Sequence, residues 1–474
     1  MKCYELIIDG KKMPTAATEN VYDKATGEVF AQISTAGEKE VKMAVDAAQE
    51  AFETVKLAPY QRYEIIMKAA HNVMQRQHEF AEILSKEAGK PINDAMGEIA
   101  RAYQTLILSA EEAKRLTGEM VPIQGAPGCE KRVAYTKRMP LGVVCAITPF
   151  NFPVNLACHK IGPAIAAGDT VIYKPASATP LTAYLLCEAF ADAGLPDGFL
   201  NLIMGRGSLV GDLLVKDERI KMISFTGSVP VGKSLQKAAG FRRVALELGS
   251  NSANIVHDDI AYVKKVAQLC AKYAFVNAGQ VCISCQRVYV QKNIYDEFCK
   301  AAVEYAAGLK IGNPLATNTD IGPMIAEKEA VRIESWINEA VSAGAELLVG
   351  GKRKGAFFMP TILTGTNSKM KVICKETFAP VFSIMPYDNI EDAIAAVNDS
   401  NYGLQAGVFT SSLAVAHLCA EKIETGGVII NDGSTFRMDN MPYGGVKDSG
   451  IGREGPEYAV RELTEEKLVV FNFS

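Results

Sequence analysis

Between residues 140 and 248 the chain alternates apolar runs of strand length, at 142–148, 170–174, 200–204 and 221–225, with helix-length segments at 154–167, 180–193 and 229–239. Strands separated by helices pair in parallel, because each crossover returns the chain to the same end of the sheet. The spacing predicts an α/β fold, a parallel sheet wrapped by helices, whose ligands gather beyond the carboxyl ends of the strands. A second set of such units begins after Leu248, includes a long helix expected over 325–343, and ends near Gly450.

The flanks read differently. Residues 1–35 carry short strands, with Asp9-Gly10 as a hairpin signal and Ala25-Thr26-Gly27 as a second turn. From 38 to 115 the apolar positions recur at helical spacing, as in Val41, Ala44, Ala48 and Phe52, and predict packing helices. The segment CEKRVAYTKR at 129–138 alternates polar and apolar residues, and the terminal KLVVFNF is strand-like. An exposed ribbon is marginal alone, so both segments are expected to pair with each other or with another subunit.

A chain of 474 residues has room for two or three domains. With a net charge of −4 and 22% charged residues it lacks the basic excess that would hold a nucleic-acid backbone. No apolar stretch approaches the roughly 20 residues needed to cross a bilayer, and the N-terminal apolar run is too short for a signal peptide core. Eleven cysteines, an odd number at scattered spacing, fit reduced thiols, and the expected compartment is the cytoplasm.

One of those cysteines stands apart. In FVNAGQVCISCQRVYV, residues 275–290, Cys282 follows Gly279-Gln280 and precedes a strand-like run. That context suggests a thiol held on a turn, a candidate nucleophile, although an arbitrary cysteine is more often a small buried apolar group. Cys285 completes a C-x-x-C with Cys282 and leaves a dithiol switch open. A structural zinc site needs four ligands, and no second pair accompanies this one, so no metal is expected.

Residues 227–234, GSVPVGKS, match the P-loop pattern after a strand and before a helix. Pro230 weakens that reading, because proline has no N–H to offer a phosphate. Ser228 as N-cap with Pro230 in the first turn makes an ordinary helix start that a pyrophosphate could still approach, so a dinucleotide fits as well as a triphosphate. A P-loop hydrolase would also need a magnesium-binding Asp, for which Asp432 is the nearest candidate.

Further strand ends carry polar groups: Asn151 in the proline-bracketed TPFNFP turn at 148–153, Lys174 in YKPAS, and Glu247 inside the apolar LELG. Singly these read as a turn residue, a solvated strand end and half of an ion pair. Together with PFNFP (149–153), KPAS (174–177), FTGS with Gly232, LELGS (246–250), GQVC (279–282), ETFAP (376–380) and MPYGGVKDSGIGREG (441–455), the chain resembles the aldehyde dehydrogenase superfamily over nearly its whole length.

That resemblance implies a Rossmann-like cofactor domain over 1–116 and 139–248, a catalytic domain over 249–450, and a small β arm over 117–138 and 451–474 that builds homodimers or homotetramers. It implies Cys282 as nucleophile, Glu247 as general base and Asn151 as oxyanion donor. Thr148, Pro149, Phe150, Lys174, Ser177, Gly227, Ser228, Gly232, Glu376 and Phe378 would hold NAD or NADP. Glu247 favours a free acid as product, since the branches that pass the acyl group to coenzyme A lack it. Strict NAD users often carry a glutamate where Ser177 stands; a serine tolerates the 2′-phosphate and leaves both cofactors open.

Asn155 and His159 share a helix face that the resemblance sets along an aldehyde tunnel, and Arg101, Arg437 and Val281 are further candidates to line it. Polar lining suits a short hydroxylated or anionic aldehyde. The segments STFRMDNMPYGG and AGQVCISCQRV look most like the lactaldehyde and non-phosphorylating glyceraldehyde-3-phosphate branch. Phosphate-accepting members commonly have arginine where Val281 stands, which tips the reading toward lactaldehyde or a similar small aldehyde. A catalytically silent member of the fold would have let Cys282, Glu247 and Asn151 drift.

Overall fold

The computed structural model describes residues 2–473. Its amino-terminal core is built on an eight-stranded sheet in the order Gly450–Ile451, Arg243–Glu247, Ile220–Thr226, Val143–Ile147, Thr170–Lys174, Leu200–Leu202, Leu6–Ile8, Lys11–Met13. The central strands run parallel, and Ile147 pairs with Lys174 while Thr226 pairs with Glu247. This register brings Thr148, Lys174, Gly227 and Glu247 to one end of the sheet, where parallel α/β sheets gather ligands.

Helix Pro153–Ala167 is buried along its whole length and starts with proline, whose missing N–H costs nothing in the first turn. Helices Pro59–Gln75 and Ile92–Arg115 pack against it, Gln77–Ala88 packs against Ile92–Arg115, and Glu38–Thr54 packs against the sheet strands Thr170–Lys174 and Leu200–Leu202. Short strands near the N-terminus form a separate three-stranded sheet in which Cys3–Tyr4 and Thr18–Tyr22 flank Val29–Ser34.

The second core surrounds a seven-stranded sheet in the order Glu346–Val349, Thr361–Thr364, Val381–Tyr387, Arg287–Gln291, Ala253–Val256, Gln405–Phe409, Gly427–Ile430. All its neighbours are parallel except the antiparallel edge strand Glu346–Val349. Helix Glu327–Ser342 covers it where a long helix was expected.

The two strand-like segments left open by the sequence pair with each other. Arg132–Pro140 and Thr464–Asn472 run antiparallel from Arg132 opposite Asn472 to Pro140 opposite Thr464, with Met120–Val121 alongside. Within the 451–474 segment the ribbon strand itself spans Thr464–Asn472. Strand Gly450–Ile451 pairs with Arg243–Glu247, and Ala459, Val460 and Leu463 bury into the amino-terminal core. Helix Pro456–Glu462 packs against Pro153–Ala167 because its apolar residues fall on one face, so the arm strand starts only at Thr464.

Candidate active site

Helix Val263–Phe275 ends in a turn whose backbone is left-handed at three consecutive residues, Asn277 (φ 53°), Ala278 (φ 53°) and Gly279 (φ 68°). Two of these are not glycine, an arrangement that costs energy and persists only when surroundings enforce it. Gln280 is the enforcing residue: its Oε1 accepts from the Ile325 N–H at 2.9 Å and its Nε2 donates to the Asn277 carbonyl at 3.2 Å. A Cβ on Gly279 would sit 2.0 Å from the Ala379 carbonyl oxygen, so only glycine fits. The turn presents Cys282, half-buried, at a cavity wall.

Cys285 points elsewhere. Its sulfur lies fully buried in the second core and accepts from Asn254 Nδ2 at 2.8 Å, whereas Cys282 packs with Val281, Ile283, Leu404 and Tyr443. Both thiols are free.

The cavity holds about 1300 Å³ and is lined from both cores. Thr148, Pro149, Phe150, Asn151, Lys174, Gly227, Ser228 and Glu247 come from the first, and Cys282, Glu376 and Phe378 from the second. Asn151 Nδ2 donates to the Gln280 carbonyl at 2.9 Å, tying the amide to the Cys282 turn. Glu247 is buried, its Oε2 without a partner. Burial, and then the charge of Glu454, push its carboxyl well above the usual range. Burial raises the Cys282 thiol to about 11, so the resting sulfur is protonated.

At the other end, the N-terminus of helix Val229–Ala239 opens on the cavity behind Ser228. Glycines leave room there: a Cβ on Gly232 would meet Leu248 Cδ2 at 2.5 Å, and one on Gly249 would meet Glu376 Oε2 at 2.4 Å. Lys174 Nζ donates to the Pro175 carbonyl at 3.0 Å, and burial lowers its ammonium to about 8. Glu376 accepts from the Ser250 N–H at 3.0 Å, and burial raises it to about 7. Phe378, itself left-handed at φ 47°, meets Phe150 edge-on at 5.8 Å. Ser177 is turned away, donating to the Gly205 carbonyl at 3.0 Å.

An extended groove with a helix N-terminus, glycine clearances and a lysine at a strand end fits a dinucleotide. It does not fit a P-loop, because Lys233 is drawn to Asp448 at 2.7 Å on the surface. Asp432 lies beyond a strand of the other sheet and accepts from Tyr273 Oη at 2.9 Å. Among the described residues no group of three or more His, Cys, Asp or Glu side chains is arranged to hold a metal ion, and no helix is long and apolar enough to cross a membrane.

The tunnel candidates separate into two groups. Arg101, Asn155 and His159 all converge on Asp439: Arg101 through Nη2 at 2.7 Å, Asn155 through Nδ2 at 3.1 Å and His159 through Nε2 at 3.0 Å. They stand behind the cavity wall rather than among its lining residues. Burial and then Arg437 lower the His159 pKa, which keeps the ring neutral. Burial alone would raise the Asp439 carboxyl, but the His159 and Arg101 contacts outweigh it and hold it ionised.

Arg437 does line the cavity. Its Nη2 donates to Glu454 Oε2 at 2.9 Å, and its guanidinium lies 3.6 Å from the Tyr443 ring centroid. Its Nε is buried without a partner. Glu454 Oε1 also accepts from Lys160 Nζ at 2.9 Å. Val281 is buried beside Leu404 and Tyr443 and lines none of the cavity.

Asp439, Glu454, Lys160 and Tyr443 were not singled out from the sequence. The only signal for Asp439, Glu454 and Tyr443 was their place inside segments quoted for other reasons: STFRMDN for its arginine and MPYGGVKDSGIGREG for the family resemblance.

The sequence model of the aldehyde dehydrogenase family matches residues 12–469. The chain belongs to the aldehyde dehydrogenase family. Among curated relatives, the 3-sulfolactaldehyde dehydrogenase of Priestia aryabhattai is 51% identical over 472 residues, covering 100% of this chain and 98% of the relative. The lactaldehyde dehydrogenase of Methanococcus maripaludis (strain C5) is 42% identical over 473 residues, covering 98% and 100% respectively. Among solved structures, the glyceraldehyde-3-phosphate dehydrogenase of Methanocaldococcus jannaschii complexed with NADP superposes with a TM-score of 0.93 at 40% identity, covering 97% of this chain and 100% of that one. Enzymes of the aldehyde dehydrogenase family act on aldehydes.

Proposed function

We propose that the protein oxidises a short polar aldehyde to its carboxylic acid with NAD or NADP, preferring an anionic one of the sulfolactaldehyde type to neutral lactaldehyde. The observation that carries the anionic preference is Arg437, a buried guanidinium at the cavity wall whose Nε–H has no partner. Three cations, Arg101, Lys160 and Arg437, meet two carboxylates, Asp439 and Glu454, leaving a formal surplus of one positive charge. Glu247 does not cancel it while protonated, the form that burial favours, and is needed ionised only for the later hydrolysis step. A sulfonate or carboxylate balances that surplus, and a guanidinium binds either with directed, charge-assisted hydrogen bonds.

In this reading Cys282 attacks the aldehyde carbon: the S–C bond forms, the carbonyl π bond breaks and the oxygen becomes an oxyanion. One N–H of the Asn151 amide is occupied by Gln280 and its second is left for that oxygen, with the Cys282 backbone N–H as partner donor. Lys174, Ser228, Glu376 and Phe378 would hold a nicotinamide dinucleotide, which when bound would supply the two-electron oxidation by taking the hydride from the adduct carbon as the thioester forms. Glu247 then takes a proton from the water that attacks the thioester, a task suited to a carboxylate with a raised pKa. The S–C bond breaks and the acid leaves.

The cofactor assignment draws on the dinucleotide-shaped groove and on the NADP complex of the structural relative. The domain division and a homodimer or homotetramer joined through the arm belong to the same proposal, as does a reducing, cytoplasmic setting for eleven free thiols.

The test is a steady-state comparison of 3-sulfolactaldehyde, lactaldehyde and glyceraldehyde 3-phosphate with both cofactors. Arg437→Met is expected to lower kcat/KM for the sulfonated aldehyde by about tenfold or more, the worth of one hydrogen bond to a charged group. Lactaldehyde, which has no anionic group, should lose much less. Equal losses on both substrates would remove the anion-binding role.

A further inference from the structure

Tyr443 stands where the chemistry described so far leaves it no task, yet its hydroxyl oxygen lies 3.0 Å from the Cys282 sulfur. The side chain is 3% exposed and belongs to the same small apolar cluster as Val281, Ile283 and Leu404, which fixes the ring. The Arg437 guanidinium covers its face at 3.6 Å. A buried tyrosine hydroxyl needs a hydrogen-bond partner, and here that partner is the reacting atom.

We propose that the Tyr443 hydroxyl is a further catalytic group: it donates a hydrogen bond to the Cys282 sulfur whenever that sulfur carries negative charge. This rests on Cys282 being the nucleophile. The charge appears twice. Before attack, the thiol S–H bond breaks, its proton passes to solvent water and the electron pair stays on sulfur. During hydrolysis, the tetrahedral adduct expels the sulfur, which takes the pair of the breaking S–C bond. Tyr443 keeps its own proton through both events and transfers nothing.

The surroundings favour that division of roles. Burial, and then the charge on Cys282, push the Tyr443 phenol well above its usual value, so it remains the donor. Around Cys282, burial disfavours the thiolate, the Tyr443 hydroxyl and Arg437 favour it, and Glu376 and Glu247 oppose it. Tyr443 itself faces Cys282, Arg437 and Glu247, with Lys160 and Glu454 one step beyond Arg437. Of the favourable groups, only the hydroxyl touches the sulfur.

Tyr443→Phe deletes the oxygen and keeps the ring under Arg437. The readout is the pH dependence of Cys282 alkylation by iodoacetamide, followed on its own peptide by mass spectrometry and needing no aldehyde turnover. The expected result is a midpoint about one pH unit higher than wild type, equivalent to roughly tenfold slower alkylation near neutrality, with a parallel fall in kcat/KM. Replacement of Tyr443 by 3-fluorotyrosine, a more acidic phenol of nearly the same size, should move the midpoint down and covers the case in which the phenylalanine variant folds poorly. A midpoint that stays put in either folded variant overturns the proposal. Cys282→Ala separates the two claims: if it retains turnover the nucleophile reading falls, whereas an inactive Cys282→Ala beside an unmoved Tyr443→Phe midpoint removes only the role of the tyrosine.

Discussion

In the proposed mechanism Glu247 sets the acid side of the reaction. Its carboxyl is raised above the ordinary value of 4.5 by burial and by Glu454, so protonation, which removes the base, persists to a higher pH than for an exposed glutamate. Turnover limited by thioester hydrolysis should therefore rise with pH through an inflection above that value, as a pH–kcat profile would record. Glu247→Gln should give one rapid equivalent of reduced cofactor per active site and then a steady phase slower by about 100-fold or more; a variant with no separation between the two phases would contradict the assignment. At this scale Cys282, Glu247 and Asn151, which the structure brings to one cavity, could be picked out because each is a polar or nucleophilic group in an otherwise apolar or turn-forming segment. The partner of His159 was not, since Asp439 lies 280 positions away in the chain and no local pattern links them.

Among the elements, the Cys282 turn carries the tightest constraint. Gly279→Ala would place a Cβ 2.0 Å from the Ala379 carbonyl at a left-handed φ of 68°. Expected are a loss of roughly 2 kcal/mol or more in stability, read as a lower Tm, and a collapse of kcat from a displaced nucleophile. An active variant with wild-type melting would mean that the turn tolerates another path. Regular elements were legible where punctuation was sharp: helix Val229–Ala239 starts behind Ser228 with Pro230 in its first turn, and strand Thr170–Lys174 ends before Pro175. The strand read over 200–204 stops at Leu202, since Gly205, at φ 142°, already belongs to the loop beyond it. The left-handed Asn277 and Ala278 gave no warning, because Gln280, which holds them, is itself anchored by the Ile325 N–H, 45 positions away.

For the whole molecule, the arm presents apolar groups on both faces of a thin ribbon. Leu468 and Val470 are 57% and 44% exposed on one side, and Phe471 and Phe473 are 48% and 67% exposed on the other, with Phe471 stacked on Tyr135 at 6.2 Å. A three-stranded ribbon exposing this much apolar surface is expected to be covered by another copy. Leu468→Asp combined with Phe471→Asp should shift the protein to a smaller species in light scattering; an unchanged mass would show that assembly runs through another face. Composition and alternation marked both arm strands, but pairing is a long-range property, so their partners stayed open until the register was seen.

The path of the chain has a consequence for synthesis. The strand bearing Glu247 completes its outer side only with Gly450–Ile451, and helix Pro456–Glu462 closes the layer over Pro153–Ala167. A ribosome therefore makes the entire second core before the first can be sealed. Until Gly450–Ile451 emerges, the edge beside Glu247 is an open strand able to pair with any neighbour, so early termination should yield aggregates rather than a working half.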